Sequence, residues 1–441
     1  MNTRLPLLIR QVMYNLRGGF LTRPLAIALT LGCVGAVLSW LEETIPGFSG
    51  WMPAVLFPSH SDPQVAQVIL GGIAASIMTV VSIVFAILLM TLTLASMQFS
   101  PRIIVSFARD RVTQWTLGIF LGTFCYCMAA LPSARSLPHP FAPVATVLGA
   151  MILALVCVGW LLFFIHHISY AISVSHIVDR IASETEVMID EMMPWPRNSH
   201  RPDQPHEQYG WDTLILSDAS GYIRFIDTAR LVSLAKTYHV KLQVVRRVGL
   251  FVPAGTPLLR AHKGDRLTQD TIQDLRRAFD LGPSRTLQQD IEFGILQIVD
   301  IALKAISPAV NDPSTAIGCI DQLSRIMIRI ASKAPPEGLL YDPPGVFRVS
   351  VPWSDFDQFL TSAFEQIRLY AKADVAVSLR LLRALGDIAI ATPNPSLHGA
   401  LYALGKRIVE GCSEKLSGEE LSPLRSRLAA LESLTGMGAP K

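Results

Sequence analysis

Four apolar stretches without Asp, Glu, Lys or Arg limit most strongly what this chain can fold into. They occupy residues 25–41, 65–97, 112–131 and 141–165. A helix that crosses the bilayer core, about 30 Å thick, needs about 20 apolar residues, because lipid offers the backbone no hydrogen bonds. Charged residues make up 17% of the chain, against about a quarter in soluble proteins. The sequence therefore predicts an α-helical polytopic membrane domain with four transmembrane helices.

The positions of the arginines predict the orientation of these helices. The segment before the first stretch and the loop after the second contain Arg4, Arg10, Arg17, Arg23, Arg102, Arg109 and Arg111. The loop 42–64 contains no Lys or Arg, and the loop between the last two stretches contains only Arg135. Because basic loops remain in the cytoplasm, both termini are predicted to be cytoplasmic. A cleaved signal peptide is the alternative for the first stretch, but Glu42 and Glu43 follow it in place of a small-residue cleavage pattern.

After the fourth stretch the sequence predicts an α+β cytoplasmic domain and then a C-terminal helical bundle. The predicted domains are a transmembrane domain in 1–170, a helical connector in 171–196, the α+β domain in 212–332 and the helical bundle in 353–435. The connector should continue the fourth helix as far as Asp190, because apolar residues recur there at helical spacing. A Pro-rich bridge, 335–352, should separate the last two domains.

Turn and cap residues predict local elements within this region. Residues 213–217 and 222–226 are β-rich and flank 218–221, which is typical of a hairpin. Asp227 should cap a helix that reaches Tyr238. A strand at 240–248 and a Gly turn at 252–255 should follow, a pattern similar to the small barrels that carry biotin or lipoate, although no lysine occupies the turn. Three further helices should begin at Asp312-Pro313, Ser354 and Ser422-Pro423.

The second stretch carries a stripe of small and hydroxyl-bearing side chains. At about 100° per residue, one arc of about 120° contains Gly72, Ala75, Ser76, Thr79, Ser82, Ala86 and Thr93. Larger apolar residues, among them Ile83 and Met90, share this arc. Such a stripe allows close packing between helices, or it could line a narrow pore where subunits meet. Both interpretations remain open at this point, and packing is the commoner use of small residues in membrane helices.

Two other polar groups are candidate sites. Arg102, Arg109 and Arg111 could lie on a short amphipathic helix that contacts anionic lipid, or in an ordinary positive-inside loop. Asp300 lies in an apolar helix four residues before Lys304, which favours an ion pair. Alternatively, Asp300, Asn311 and Asp312 could form a small cation site.

Known catalytic and cofactor motifs are missing from the sequence. It contains no phosphate-binding loop, nucleophile elbow, His-Glu-x-x-His pair or dinucleotide fingerprint. Cys125 and Cys127 have no second pair nearby, and His167 and His176 would lie on opposite helix faces, which argues against zinc. We therefore expect no catalytic residues, no metal and no cofactor, and a protein that is not an enzyme. The net charge of +3 is spread along the chain, so a nucleic-acid partner is not expected.

Several segments resemble a known family. They are 98–102 (QFSPR), 110–118 (DRVTQWTLG), 220–227 (SGYIRFID) and 307–316 (SPAVNDPSTA). Together they are similar to the bacterial predicted inner-membrane proteins that are grouped as a domain of unknown function. The resemblance covers roughly Arg10 to Ile330, and it implies a bacterial inner-membrane location without assigning chemistry to any residue.

Two functions fit these features. The first is a homo-oligomer that provides a passive ion pathway, assembled or gated by its cytoplasmic domain. It is passive because the four stretches lack the intramembrane charges that ion-coupled transporters use. The second is a non-conducting membrane-anchored scaffold or sensor that recruits a cytoplasmic partner. The lipid bilayer is the partner expected for both.

Overall fold

The structure is a computed structural model that divides into two compact units, Met1–Ser173 and Val174–Lys441. It describes residues 22–45, 48, 62–98, 111–135, 141–171, 173–194, 196, 210–336, 338–392 and 394–436. The first unit is called the membrane unit and the second the α/β unit.

The membrane unit contains four long apolar helices, as the sequence predicts. They are α1 (Thr22–Thr44), α2 (Pro63–Gln98), α3 (Arg111–Ala130) and α4 (Val144–Ala171). All four are long and apolar enough to cross a membrane. Their outward surfaces are apolar too, with Val68, Leu155 and Leu162 strongly exposed. An apolar exterior of this kind is stable in lipid and costly in water.

Helices α1 and α3 cross closely at glycine residues. A Cβ atom added at Gly118 would lie 2.6 Å from Ile27 Cδ1, and one at Gly122 would lie 2.5 Å from Leu31 Cδ1. On the facing helix, a Cβ at Gly35 would lie 2.7 Å from the carbonyl oxygen of Tyr126. At Gly35 the added Cβ would overlap backbone, whereas at Gly118 and Gly122 the ends of the Ile27 and Leu31 side chains would have to move. Glycine thus allows the two helices to approach closely.

A buried carboxylate joins the end of α1 to the start of α4. Glu42 is only 6% exposed, and it accepts hydrogen bonds from Ala145 N at 2.8 Å, Thr146 N at 3.1 Å and Thr146 Oγ1 at 3.0 Å. These N–H groups belong to the first turn of α4, which has no intrahelical acceptors for them. Glu42 therefore acts as a cap supplied by another helix. Its neighbour Glu43 instead pairs with the partly exposed Arg135.

The α/β unit begins with a helix and continues with two small sheets. Its first part contains α5 (Val174–Met192), β1 (Thr213–Leu216), β2 (Gly221–Ile226), α6 (Thr228–Thr237), β3 (Lys241–Val244), β4 (Phe251–Val252), β5 (Pro257–His262), α7 (Gln269–Arg276) and β6 (Phe279–Gly282). Its second part contains α8 (Ile291–Ala305), α9 (Pro313–Ser332), β7 (Leu339–Asp342), β8 (Val346–Ser350), α10 (Phe356–Tyr370), α11 (Val375–Ala391), α12 (Pro395–Ser413) and α13 (Gly418–Thr435). The predicted fold class, four membrane helices followed by α+β and then helical structure, is confirmed.

The predicted hairpin at 218–221 is wrong. The larger sheet has the order β1-β5-β3-β8-β7 and the smaller has the order β4-β2-β6, so β1 and β2 lie in different sheets. The chain leaves β1 at Ser217, whose N–H donates to Thr256 O at 2.9 Å and whose carbonyl accepts from Gly255 N at 2.8 Å. These bonds continue the antiparallel pairing of β1 with β5. The larger sheet ends at β1 and β7 in the described residues, so the barrel analogy is also wrong.

The predicted Pro-rich bridge is wrong as well, because residues within 335–352 form a β-hairpin. Strands β7 and β8 pair with each other, and β8 pairs with β3 in parallel through Leu242 and Val349. Val349 is fully buried in the same core as Leu231 and Leu259. Burial in that core stabilises a strand whose own sequence gives only a weak signal.

Helix α5 packs against α8 and α9 within the α/β unit. Charged pairs line this contact. Arg329 Nη2 lies 2.6 Å from Asp190 Oδ2, and Arg325 Nη2 lies 2.5 Å from Glu186 Oε2. We predicted one helix from the fourth stretch to Asp190, whereas α4 ends at Ala171 and α5 begins at Val174.

The C-terminal helices correct two predicted starts. Helix α13 begins earlier than Ser422-Pro423, because Ser417 and Glu420 form a capping box five residues upstream. Helix α10 has Asp355 as its cap, one residue after the predicted Ser354. The caps predicted at Asp227 and Asp312 are confirmed, and each carboxylate accepts a backbone N–H three residues later.

Candidate functional site

The stripe on α2 faces away from the rest of the membrane unit. Gly72, Ser76, Thr79, Ser82, Ala86 and Thr93 are all exposed, as is Ala75. The opposite side of α2 is buried and contains Leu70, Ala74, Ile77 and Val84. The two sets of residues lie about half a helical turn apart at 100° per residue. The stripe is therefore a surface of the single chain, and the helices described here do not cover it.

The hydroxyl groups of the stripe are hydrogen-bonded within α2. Thr79 Oγ1 donates to Ala75 O at 3.1 Å, Ser82 Oγ to Met78 O at 3.0 Å, and Thr93 Oγ1 to Leu89 O at 2.8 Å. A hydroxyl satisfied in this way can face lipid at little cost, and its oxygen still has a lone pair for water or an ion. A Cβ at Gly72 would meet no atom within 4 Å. The stripe is thus narrow, uncharged and weakly polar.

The other two candidate sites receive less support. Arg102 and Arg109 lie outside the described residues, and Arg111 is the exposed first residue of α3. The interfacial loop therefore stays a prediction. Asp312 Oδ1 accepts from Thr315 N at 3.1 Å and Oδ2 from Thr315 Oγ1 at 2.6 Å, so helix capping uses both oxygens. Asn311 is exposed and has φ 50°, a turn conformation that Asn tolerates.

The described residues contain no cluster of side chains typical of a metal site. In that part of the chain no three His, Cys, Asp or Glu side chains lie close enough to hold an ion. Asp300 is half-buried near the end of α8. The small cation site that Asp300, Asn311 and Asp312 would form remains a prediction.

The α/β unit also contains a pocket that the sequence does not predict. Its volume is about 130 Å³, enough for several water molecules or one small ring. Thr228, Arg247, Asp290, Glu292 and Ser354 are among its polar lining residues. The apolar lining includes Ile226, Val248, Leu340, Val351, Trp353 and Phe359. The pocket thus combines an apolar wall with a small polar group of residues.

A buried charge cluster forms one side of this pocket. Arg285 binds Asp290 through two hydrogen bonds, Nε to Oδ2 at 2.7 Å and Nη2 to Oδ1 at 2.8 Å. Arg285 Nη2 also donates to Glu292 at 3.0 Å, and Arg247 Nη1 donates to the same Glu292 oxygen at 2.9 Å. Ser362 donates to the other oxygen at 2.8 Å. Two positive and two negative side chains therefore balance each other away from bulk water.

The pKa of Glu292 reports the balance of forces in this cluster. Burial raises the pKa, but the hydrogen bonds from Arg247 and Ser362 and the nearby positive charges outweigh burial and lower it to about 2. Glu292 is therefore ionised at every physiological pH. The pKa of Arg285 is raised, since its bonds to Asp290 and Glu292 outweigh the opposing effect of burial.

Two signals in the sequence could have indicated the α1–α3 crossing and part of the charge cluster. Gly118-x-x-x-Gly122 is a known pattern for close helix crossings in membranes, and it marks the contact of α3 with α1. Asp290 before the apolar α8 is a typical helix cap. No local signal connects Asp290 with Arg247 or Ser354, because the sheet brings these distant segments together.

The comparisons with known proteins assign a family. Residues 17–387 match the family described as "Predicted membrane protein (DUF2254)". An uncharacterized protein of Mycobacterium bovis is 32% identical over 400 residues, which cover 89% of this chain and 76% of the relative. An uncharacterized protein of Mycobacterium tuberculosis matches with the same identity and coverage. No solved structure matches the chain. The family match confirms the resemblance found in the sequence.

Proposed function

Because the chain belongs to the DUF2254 family of predicted membrane proteins, we propose that it forms a homo-oligomer providing a passive ion pathway in the bacterial inner membrane. Helix α2 lines that pathway, or packs beside it, where subunits meet. The α/β unit lies in the cytoplasm and assembles or gates the oligomer. Both chain termini are cytoplasmic, a proposal that rests on the arginine distribution.

The observation that carries this proposal is the outward stripe on α2. An exposed row of small residues lets a second helix approach closely. The buried side of α2 already packs against its own chain, so a second copy is the partner that can cover the stripe symmetrically. Hydroxyl groups from several copies would then surround one axis and replace part of the water around an ion.

A passive pathway fits the composition of α2 better than coupled transport does. Helix α2 contains no Asp, Glu, Lys or Arg from Pro63 to Gln98. Coupled transporters keep such groups inside the membrane because a bound proton or ion must meet a compensating charge. An uncharged wall of hydroxyls and small side chains offers weak, unselective coordination.

Liposome flux of the full-length protein tests the pathway. Purified protein reconstituted into liposomes should pass K⁺ or Cl⁻, each measured separately, and native mass spectrometry should detect an oligomer. Thr79→Leu should reduce the flux severalfold, because it places a larger apolar side chain on the stripe. Met78→Leu is the matched control, since Met78 is exposed but points about 100° away from Thr79 around the helix. The flux of this variant should equal that of the wild type. Absence of flux at every voltage, membrane tension and pH, or a monomer, would contradict the proposal.

The pocket in the α/β unit favours a second candidate function, a non-conducting membrane-anchored sensor or scaffold that recruits a cytoplasmic partner. A sensor needs a site for its signal, and the pocket, with its buried charge cluster, is a candidate for one. Wild-type liposomes that pass no ion, combined with specific binding of a ligand by the same protein, would support this function over the first.

A further inference from the structure

Three helices begin at the pocket of the α/β unit. Thr228 and Ile291 are the first residues of α6 and α8, and Ser354 precedes the cap of α10. All three residues line the pocket. Helix N-termini carry partial positive charge and favour anions, although here the cap residues Asp227, Asp290 and Asp355 also bind their own helices. The helix ends alone therefore do not define a site.

Most of the hydrogen-bonding capacity that remains in the pocket belongs to donors. Asp290 accepts two bonds from Arg285 and one from Phe293 N, and Glu292 accepts bonds from Arg247, Arg285 and Ser362. Each carboxylate has thus filled three of its roughly four acceptor positions. Arg247 has five N–H donors and gives one to Glu292, while its side chain is 22% exposed.

Ser354 is the residue that points to a ligand. It lines the pocket and is only 6% exposed. Within the described part of the chain its hydroxyl makes no hydrogen bond, yet this oxygen is not among the fully buried unpaired atoms. The oxygen therefore keeps some accessible surface, at a residue that lines the pocket. A nearly buried hydroxyl without a partner is costly unless water or a ligand binds it.

We propose that this pocket binds a small organic anion, an apolar ring or chain that carries one carboxylate or phosphate. Arg247 and Ser354 donate hydrogen bonds to the anionic group, and Trp353 and Phe359 contact the apolar body. The volume of about 130 Å³ is smaller than that of ordinary drug-sized sites, so the ligand has about the size of a single ring. The inference does not depend on ion conduction.

The charges around the pocket are compatible with an added anion. Arg247 and Arg285 balance Asp290 and Glu292, so an anion meets no net negative charge. A guanidinium binds a carboxylate or phosphate with two parallel hydrogen bonds, a geometry that ammonium groups do not provide.

Isothermal titration calorimetry on the full-length protein in detergent tests the site with defined probes. Benzoate and phenyl phosphate should each bind once per chain. Benzyl alcohol, which lacks the charge, and inorganic phosphate, which lacks the apolar body, should bind at least about tenfold more weakly, a difference of about 1.4 kcal/mol. Whichever of the two aromatic anions binds with higher affinity identifies the preferred anionic group.

Two serine variants separate binding at the pocket from binding elsewhere. Ser354→Ala should lower the affinity for the more tightly bound anion about tenfold, because one hydrogen bond to a charged group is lost. Ser233→Ala is the matched control, since Ser233 is exposed on α6 and does not line the pocket. Thermal unfolding of both variants should match that of the wild type. If Ser354→Ala unfolds early, Ser354→Cys replaces it as a nearly isosteric test, because a thiol is only a weak hydrogen-bond donor.

Three results would overturn the proposal. The first is the absence of binding heat for both aromatic anions at millimolar concentration. The second is equal affinity for benzyl alcohol and the anions. The third is a folded Ser354→Ala or Ser354→Cys variant that binds as tightly as Ser233→Ala.

Discussion

Glu42 and Glu43 are adjacent in the chain but have different surroundings. Glu42 is buried and accepts three hydrogen bonds from the start of α4, whereas Glu43 pairs with Arg135 near the surface. Hydrogen bonds to a buried charged group contribute more to stability than exposed ion pairs do. In the sequence, both residues only marked the end of the first stretch. Their difference comes from the distant Thr146.

At the residue scale, Glu42→Ala should destabilise the membrane unit by about 2 kcal/mol, because it leaves buried N–H groups of α4 without an acceptor. Glu43→Ala is the matched control and should cost less than about 1 kcal/mol. The apparent melting temperature of the full-length protein in detergent measures both. Equal melting temperatures for the two variants would show that the Glu42 cap does not stabilise the unit.

At the scale of elements, glycine positions decide how the membrane helices pack. The sequence predicts a stripe of small residues on α2, and the structure shows that this stripe is exposed in the single chain. The close crossing is made instead by α1 and α3, where Gly35, Gly118 and Gly122 meet atoms of the facing helix. Small residues allow close approach, but their spacing alone does not say which helix approaches.

Gly122→Leu should therefore disrupt the α1–α3 contact, because its side chain would overlap Leu31. Overpacking of this kind typically costs about 1–3 kcal/mol or more. Gly159→Ala on α4 is the control, since a Cβ there meets no atom within 4 Å, and its stability should be unchanged or slightly higher. Thermal unfolding in detergent compares the two variants. A Gly122→Leu protein as stable as the wild type would contradict the crossing described here.

At the scale of the whole molecule, the basic residues predict the orientation in the membrane. The loop 42–64 contains no Lys or Arg, whereas α5 to α13 follow a fourth helix that should end in the cytoplasm. This predicts that the beginning of α2 and the α/β unit face opposite compartments.

Thiol labelling of cells tests this orientation. Asp62→Cys should react with a membrane-impermeant maleimide in intact spheroplasts, while Ala219→Cys should react only after permeabilisation, and both positions are exposed. A wild-type sample gives the background from the native cysteines. Labelling of Ala219→Cys in intact spheroplasts would reverse the proposed orientation.

Local properties of the sequence determined a large part of this protein. Hydropathy alone predicted the four membrane helices, because a span must be apolar over its whole length. Caps at Asp227 and Asp312 were predictable since the capping carboxylate and its N–H lie three residues apart. In the C-terminal region the same reasoning failed at Ser422, because Ser417 and Glu420 already form a stronger cap upstream.

Tertiary structure decided the features that depend on distant residues. Residues 346–350 became a strand because β3, about a hundred positions earlier, supplies a parallel neighbour and a shared core. Glu42 found its hydrogen-bond donors at Ala145 and Thr146, and the pocket combines residues from Met192 to Phe359. These stabilising contacts join residues that are far apart in the chain, so no short segment of sequence includes both partners. Only the folded chain shows which pairs form.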